Sequence, residues 1–220
     1  MEVINLSEQN SLVGQFMSEV RDKVLQQERL RFRTNIHRLA QIMAYEISKR
    51  LRYREVEVET PLGVKKTRVI DDRVVLATIL RAGLPLHQGF LNVFDHSENG
   101  FVSAFRFYKD SECREVDVHV EYMASPDLTG KTLIVADPML AKGHSMELGL
   151  VAFLKNGMPR RIILASVIAS QEGVDHIVKC FGGYDNVELW CATIDPILNE
   201  HSYIVPGLGD AGDLAFGGKI

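Results

Sequence analysis

Cysteine is scarce: Cys113, Cys180 and Cys191 are the only three in 220 residues. They include no CxxC pair for zinc or dithiol chemistry and are too sparse for a secreted disulfide scaffold, so a reducing compartment suits them. Positive charge is not in surplus either. The chain has 25 Lys and Arg against 29 Asp and Glu, a net charge of -4. That balance argues against a general nucleic-acid binder, because sequence-independent attraction to phosphate backbones needs a cationic excess. No apolar run approaches the roughly 20 residues that span a bilayer. The opening Met1-Glu2-Val3-Ile4-Asn5 carries an acid where a signal peptide carries basic and then apolar residues. No membrane association, no export and a cytoplasmic location are therefore expected. Repeats, low-complexity tracts and long linkers are absent as well.

What is present is an ordinary globular composition, 46% hydrophobic and 25% charged, in a length that suits one domain with a buried core. Leu12, Val13, Phe16, Met17, Val20 and Val24 recur at helical spacing, and so do Ile36, Leu39, Ala40, Met43, Ile47 and Leu51. Arginines such as Arg21, Arg29, Arg33 and Arg38 line these two helices; they read as an effector or partner surface or, given the acidic neighbours, more readily as a solvated face. Alternation from Glu55, a turn at Pro61 and Gly63, and a return through Lys65 to Ile70 predict a β-hairpin. Apolar runs at 74–80, 132–136, 162–168 and 187–194 read as strands buried on both faces, with helical patterns at 145–154 and 171–180 between them. That alternation predicts an α/β fold, a central parallel sheet flanked by helices. The expected divisions are N-terminal helices over 1–54, the hairpin over 55–70, a core over 71–195 and a glycine-rich C-terminal loop over 196–220.

Two nucleotide-binding signatures fail on inspection. Gly130-Lys131-Thr132 ends like a P-loop, but Ser125 replaces the first glycine and the triplet enters a strand rather than a helix. Gly207-Leu208-Gly209-Asp210-Ala211-Gly212 spells GxGxxG, yet too little chain follows to supply the helix and distant acid of a dinucleotide fold.

The segment Leu133 to Ser145 carries more information. A buried strand ends on Asp137, a loop follows, and a helical pattern starts. An acid at the carboxyl end of a parallel strand lies where open α/β sheets place ligands, and a helix start offers free N–H groups to a phosphate. An ordinary turn before a helix, set by Pro138, would explain Asp137 equally well. Arg81, closing the apolar run Thr78-Ile79-Leu80, reads either as a surface cap or as an anion contact.

Taken together, Asp137-Pro138-Met139-Leu140-Ala141, Ile79-Leu80-Arg81-Ala82-Gly83 and the C-terminal Tyr203-Ile204-Val205-Pro206-Gly207-Leu208-Gly209-Asp210-Ala211-Gly212-Asp213 resemble the uracil phosphoribosyltransferases, a branch of the type I phosphoribosyltransferases. The resemblance runs from Glu59-Thr60-Pro61-Leu62 to Phe216-Gly217. It implies the type I fold with a C-terminal hood loop, and transfer of ribose 5-phosphate from phosphoribosyl pyrophosphate (PRPP) to uracil in pyrimidine salvage, yielding UMP. The roles it implies for PRPP fall on Arg81, Lys109, Asp137, Ala141, Lys142, Gly143, His144, Ser145 and Asp210. Those for uracil fall on Met139, Ala141, Ile204, Gly209, Asp210 and Ala211. Asp210 and Arg81 are the implied catalytic pair. Uracil's two carbonyl acceptors and its N3–H suit recognition by main-chain groups. Magnesium is expected to arrive on PRPP, with no protein ligand assigned to it, and the family adds a GTP effector and a homodimer or higher homo-oligomer.

Lys142, His144 and Lys109 depart from the family pattern, which has Thr, Gly and Arg there. A histidine at position 144 would be costly if that residue needed a positive φ or a close backbone approach. These departures keep open a non-catalytic PRPP or pyrimidine sensor, and an enzyme for a different base. His201 is expected to organise its loop through hydrogen bonds, since Asn199-Glu200-His201 lacks metal-ligand spacing.

Overall fold

The computed structural model describes residues 1–108 and 116–218. Chain order is β1 (Glu2–Asn5), α1 (Leu12–Arg21), α2 (Arg29–Ser48), β2 (Tyr53–Thr60), β3 (Gly63–Ile70), β4 (Val74–Ile79), α3 (Leu84–Leu91), β5 (Glu98–Tyr108) and β6 (Val116–Ala124). There follow β7 (Thr132–Ala136), β8 (Met139–Leu140), α4 (His144–Phe153), β9 (Arg161–Ser170), α5 (Gln171–Phe181), β10 (Val187–Asp195), β11 (Ile197–Leu198), β12 (Ile204–Val205) and α6 (Ala211–Phe216). The main sheet runs β1-β10-β9-β7-β4-β5-β6, with β8 continuing beside β9. Its pairings are parallel except for β5 with β6.

Successive residues of the central strands point to opposite faces and are covered on both. Val74, Leu76, Ile134, Ala136, Ile163 and Ala165 join one core with residues of α1, α2, α3 and α6. Val75, Ala77, Leu133, Val135, Ile162 and Leu164 join a second core with α4 and α5. The expected α/β architecture is thus present. The two-stranded β2–β3 hairpin forms where alternation placed it.

Several boundaries differ for local reasons. The first helix stops at Arg21 rather than running on to Val24, because the Asp22 carboxylate accepts from the Val24 and Leu25 amides and opens a new turn. The second starts at Arg29, seven residues before the apolar pattern that begins at Ile36, and its first buried anchor is Phe32. Strand β1 carries too few residues for a pattern, and its register comes wholly from pairing with β10.

The solvated-face reading of the early arginines fails at Arg21 and Arg33. Arg21 grips Asp195 through both guanidinium ends, at 2.6 and 2.7 Å, and donates to the Gly207 carbonyl at 2.9 Å. The Gly207 amide returns a bond to the Asp195 carboxylate at 2.8 Å. Only glycine fits there: its φ is +60°, and an added Cβ would lie 1.9 Å from the Ile204 carbonyl oxygen. Arg33 donates to the Ala215 carbonyl at 2.6 Å. The N-terminal helices therefore hold the C-terminal segment in place.

Burial alone would raise the Asp195 carboxyl, but the bonds from Arg21 and the Gly207 amide outweigh it and hold the group below the ordinary Asp range. Arg21→Ala should cost about 3 kcal/mol in urea unfolding at pH 7, since it strands a buried carboxylate. A carboxyl depressed in the folded state stabilises above its unfolded value and loses that contribution as pH falls through its folded value. The difference between wild type and variant should accordingly narrow below about pH 4.

Candidate active site

The carboxyl ends of β4 and β7 meet beneath the C-terminal segment. Thr78 Oγ1 donates to the Ala136 carbonyl at 2.8 Å and ties the two strand ends together. The chain turns there at Gly83, where a Cβ would sit 2.0 Å from Thr78 Oγ1 and 2.7 Å from the Ile79 carbonyl oxygen. Arg81 leaves this turn toward the tail. Its Nη2 donates to the Gly217 carbonyl at 2.8 Å and to the Asp213 carboxylate at 3.2 Å. Its Nε is buried with no hydrogen-bond partner among the described residues.

Asp137 sits just past β7, 9% exposed. Desolvation pushes its carboxyl up to about 7, opposed only by the Met139 amide, which donates to it from 3.4 Å. No lysine or arginine among the described residues contributes to that balance. A carboxyl left this way beside a cleft is a recognised mark of a functional position.

The loop after Asp137 is set by glycine and by its neighbour α5. Gly143 adopts φ +82° as the N-cap of α4, so the left-handed residue is Gly143. His144 begins the helix. It therefore escapes the steric cost that a positive φ would have imposed on it. Ser170 Oγ donates to the Ala141 carbonyl at 2.6 Å and accepts from the Gly173 amide at 2.9 Å. At Gly173 a Cβ would lie 2.4 Å from that same carbonyl oxygen, so α5 and the loop touch backbone to backbone.

From the other side, the Ala211 amide lies 3.3 Å from Met139 Sδ. Asp210 caps α6 by accepting from the Asp213 amide at 2.9 Å. The result is a cleft of about 250 Å³ lined by Arg81, Asp137, Met139, Ser145, Asp210 and Ala211 together with Ile79, Leu80, Ala82 and Gly212. A second hollow of about 210 Å³, lined by Ala141, Lys142, Gly143 and His144, shares Met139 and Ser145 with the first.

The residues singled out from sequence divide accordingly. Arg81, Asp137, Met139, Ser145, Asp210 and Ala211 converge on the cleft, and Ala141 to His144 on the adjoining hollow. Ile204 instead pairs with Leu198 in a two-stranded ribbon and is buried in a core. Gly209, at φ +94°, does not line the cleft. Lys109 lies outside the described residues. His201 does not organise its loop through its side chain, which is exposed beside Glu200. Asn199 does so, accepting from the His201 and Tyr203 amides. Asp213, read with Asp210 as an acid among glycines that favours a ligand site, pairs with Arg81. Ser170 and Gly173 were not foreseen, because neither gave a local signal.

The chain is similar to known proteins over nearly its whole length. The family model described as uracil phosphoribosyltransferase matches residues 7–218. The chain is 56% identical over 220 residues to a protein of Porphyromonas gingivalis named uracil phosphoribosyltransferase, covering 100% of both chains. It is 37% identical over 216 residues to one of the same name from Thermococcus gammatolerans, covering 97% of this chain and 92% of that one. Among solved structures it is similar to the AQ2163 protein from Aquifex aeolicus, with TM-score 0.84, 29% identity and 98% of each chain covered.

Two substitutions test the geometry. Asp137→Asn should stabilise the folded protein at pH 8 by a few kcal/mol, at most about 4, as read by urea unfolding. The sign follows from burial: a carboxyl shifted from 3.8 to about 7 favours the ionised, unfolded chain increasingly as pH rises across that window. The gain should fade as pH falls toward 4. Gly83→Ala should destabilise by about 2 kcal/mol or more in the same assay, since its Cβ meets a backbone oxygen and a bonded hydroxyl.

Proposed function

The chain belongs to the uracil phosphoribosyltransferase family, and on that premise we propose how its own residues share the work of joining uracil to PRPP to give UMP and pyrophosphate. The observation that carries the proposal is the Met139–Ala211 contact, which sets the phosphate-type loop against the C-terminal segment across one cleft. That arrangement would bring a sugar phosphate and a base together.

Gly143 and the start of α4 receive the 5′-phosphate, where a helix start presents N–H groups and a positive dipole end. Lys142 adds positive charge at the hollow in place of a hydroxyl. Asp137 accepts from the ribose hydroxyls, and its ionisation near neutral pH sets how well it does so. Arg81 meets the pyrophosphate; Asp213 and Gly217 engage only its Nη2, and its unsatisfied Nε leaves a donor to spare for phosphate oxygens. Lys109 supports it by family resemblance. Uracil lies toward the C-terminal segment, read by backbone groups of Met139, Ala141 and Ala211, while Ile204 and Gly209 shape the strand and turn that lead there. Asp210, fixed as the cap of α6, faces the reacting ribose.

No enzyme nucleophile is required. As the C1–O bond to pyrophosphate breaks, positive charge develops on the ribose and uracil N1 attacks its opposite face, so catalysis rests on positioning and electrostatics. The cleft carboxylates Asp137 and Asp210 are oxygen donors of the kind magnesium prefers, and the ion carried on PRPP would supply charge neutralisation at the departing pyrophosphate.

The proposal extends to a cytoplasmic homo-oligomer with GTP as effector. No helix among the described residues is long and apolar enough to cross a membrane. The otherwise charged β2–β3 hairpin exposes Val58, Leu62 and Val64 toward its tip, Leu62 at 99%, apolar side chains that a second copy would cover. Light scattering should therefore report a dimer or larger.

The direct test supplies radiolabelled uracil, PRPP and magnesium. UMP formation is expected, with GTP titrated in to read any activation; saturable binding without UMP would instead indicate a sensor. Arg81→Lys should lower kcat/KM about 100-fold, because the compact ammonium loses the planar fork. Cytosine should be used at least about tenfold less well than uracil, since it mismatches buried polar groups.

A further inference from the structure

On the far side of the phosphate-type loop, three side chains converge that the transfer reaction does not use. Glu147 stands on the first turn of α4, and His176 and Cys180 stand four residues apart on one face of α5. One ligand atom from each lies within 4.8 Å of the other two. His176 Nε2 is 2.7 Å from Glu147 Oε2 and 3.6 Å from Cys180 Sγ. We propose that Glu147, His176 and Cys180 form a binding site for a zinc-class divalent cation.

The donor set argues for that class. One sulfur, one imidazole nitrogen and one carboxylate oxygen suit zinc and disfavour magnesium or calcium, which take oxygen. Ordinary zinc bond lengths in a tetrahedron place nitrogen and sulfur about 3.6 Å apart and nitrogen and oxygen about 3.4 Å apart. The first separation is already present, and the second requires Glu147 to withdraw by less than 1 Å, about one rotamer adjustment on a part-exposed side chain. Three protein ligands leave a fourth position for water. Metal binding at Cys180 releases the thiol proton to solvent, where buffer takes it up.

The site touches the loop from behind. The rings of His144 and His176 lie 4.4 Å apart, and a Cβ on Gly143 would meet His176 Cδ2 at 2.9 Å. A bound cation would therefore fasten α5 to the start of α4. The inference rests on these side chains and stands whether or not the uracil assay succeeds.

Cobalt(II) is the probe, because a cobalt–thiolate bond gives a strong near-ultraviolet charge-transfer absorption. Titration of the reduced full-length protein should saturate at one equivalent, and zinc should compete the band away. Cys180→Ser should abolish the band and weaken cobalt binding, followed by calorimetry, at least about tenfold. His176→Gln should weaken binding comparably, and Cys113→Ser should leave it intact. The proposal is overturned if no saturable band appears, if the band survives Cys180→Ser in protein with a wild-type circular dichroism spectrum, or if it disappears with Cys113→Ser.

Discussion

Arg21 and Asp195 bind each other at the point where the chain leaves its last long strand and begins the segment that covers the cleft. Burying a carboxylate is costly unless it is paired and its remaining lone pairs are used. Here both oxygens are engaged by one guanidinium, and the Gly207 amide adds a third bond. The consequence is positional. The peptide of Gly207 is held through both its amide and its carbonyl, so the residues that follow, Asp210 and Ala211, arrive over the ends of β4 and β7.

Asp137 lies under that segment and is treated in the opposite way. It is desolvated like Asp195, yet a single weak amide bond opposes the effect, and its carboxyl rises to about 7 while Asp195 stays depressed. One aspartate secures the architecture; the other is left with bonding capacity for a ligand. Proteins retain such a destabilising group where function requires it. The glycines divide the same way. Gly207 and Gly83 allow close backbone turns, whereas Gly143 aims the loop amides by taking a left-handed conformation.

Much of this was legible in the amino-acid order because the determinants are local. Val74 to Ile79, Thr132 to Ala136 and Ile162 to Ile168 are mostly apolar and buried, as strands covered on both faces are. Asp137, Arg81 and the 203–213 run stood out because an acid or a base closing a buried strand, and glycines among acids, are chemically unusual. What stayed hidden depends on contacts distant in sequence. Arg21 looked like any arginine on an amphipathic helix, and its partner lies 174 positions away. Strand β1 acquires its conformation from β10. His144 looked out of place until the helix start fixed Gly143, one residue earlier, as the left-handed position. His201 drew attention as a titratable group, but its loop is organised by the amide acceptor Asn199.

The central claim is spatial: the loop of residues 141–145 and the segment of residues 210–212 hold the two ends of one nucleotide. A crystal structure of the protein with UMP tests this most directly. The account predicts the phosphate at the Gly143 amide and the start of α4, the ribose hydroxyls on Asp137, and the pyrimidine edge against the backbone around Ala211. A nucleotide bound elsewhere, or bound in this cleft with its base turned away from the C-terminal segment, would contradict it.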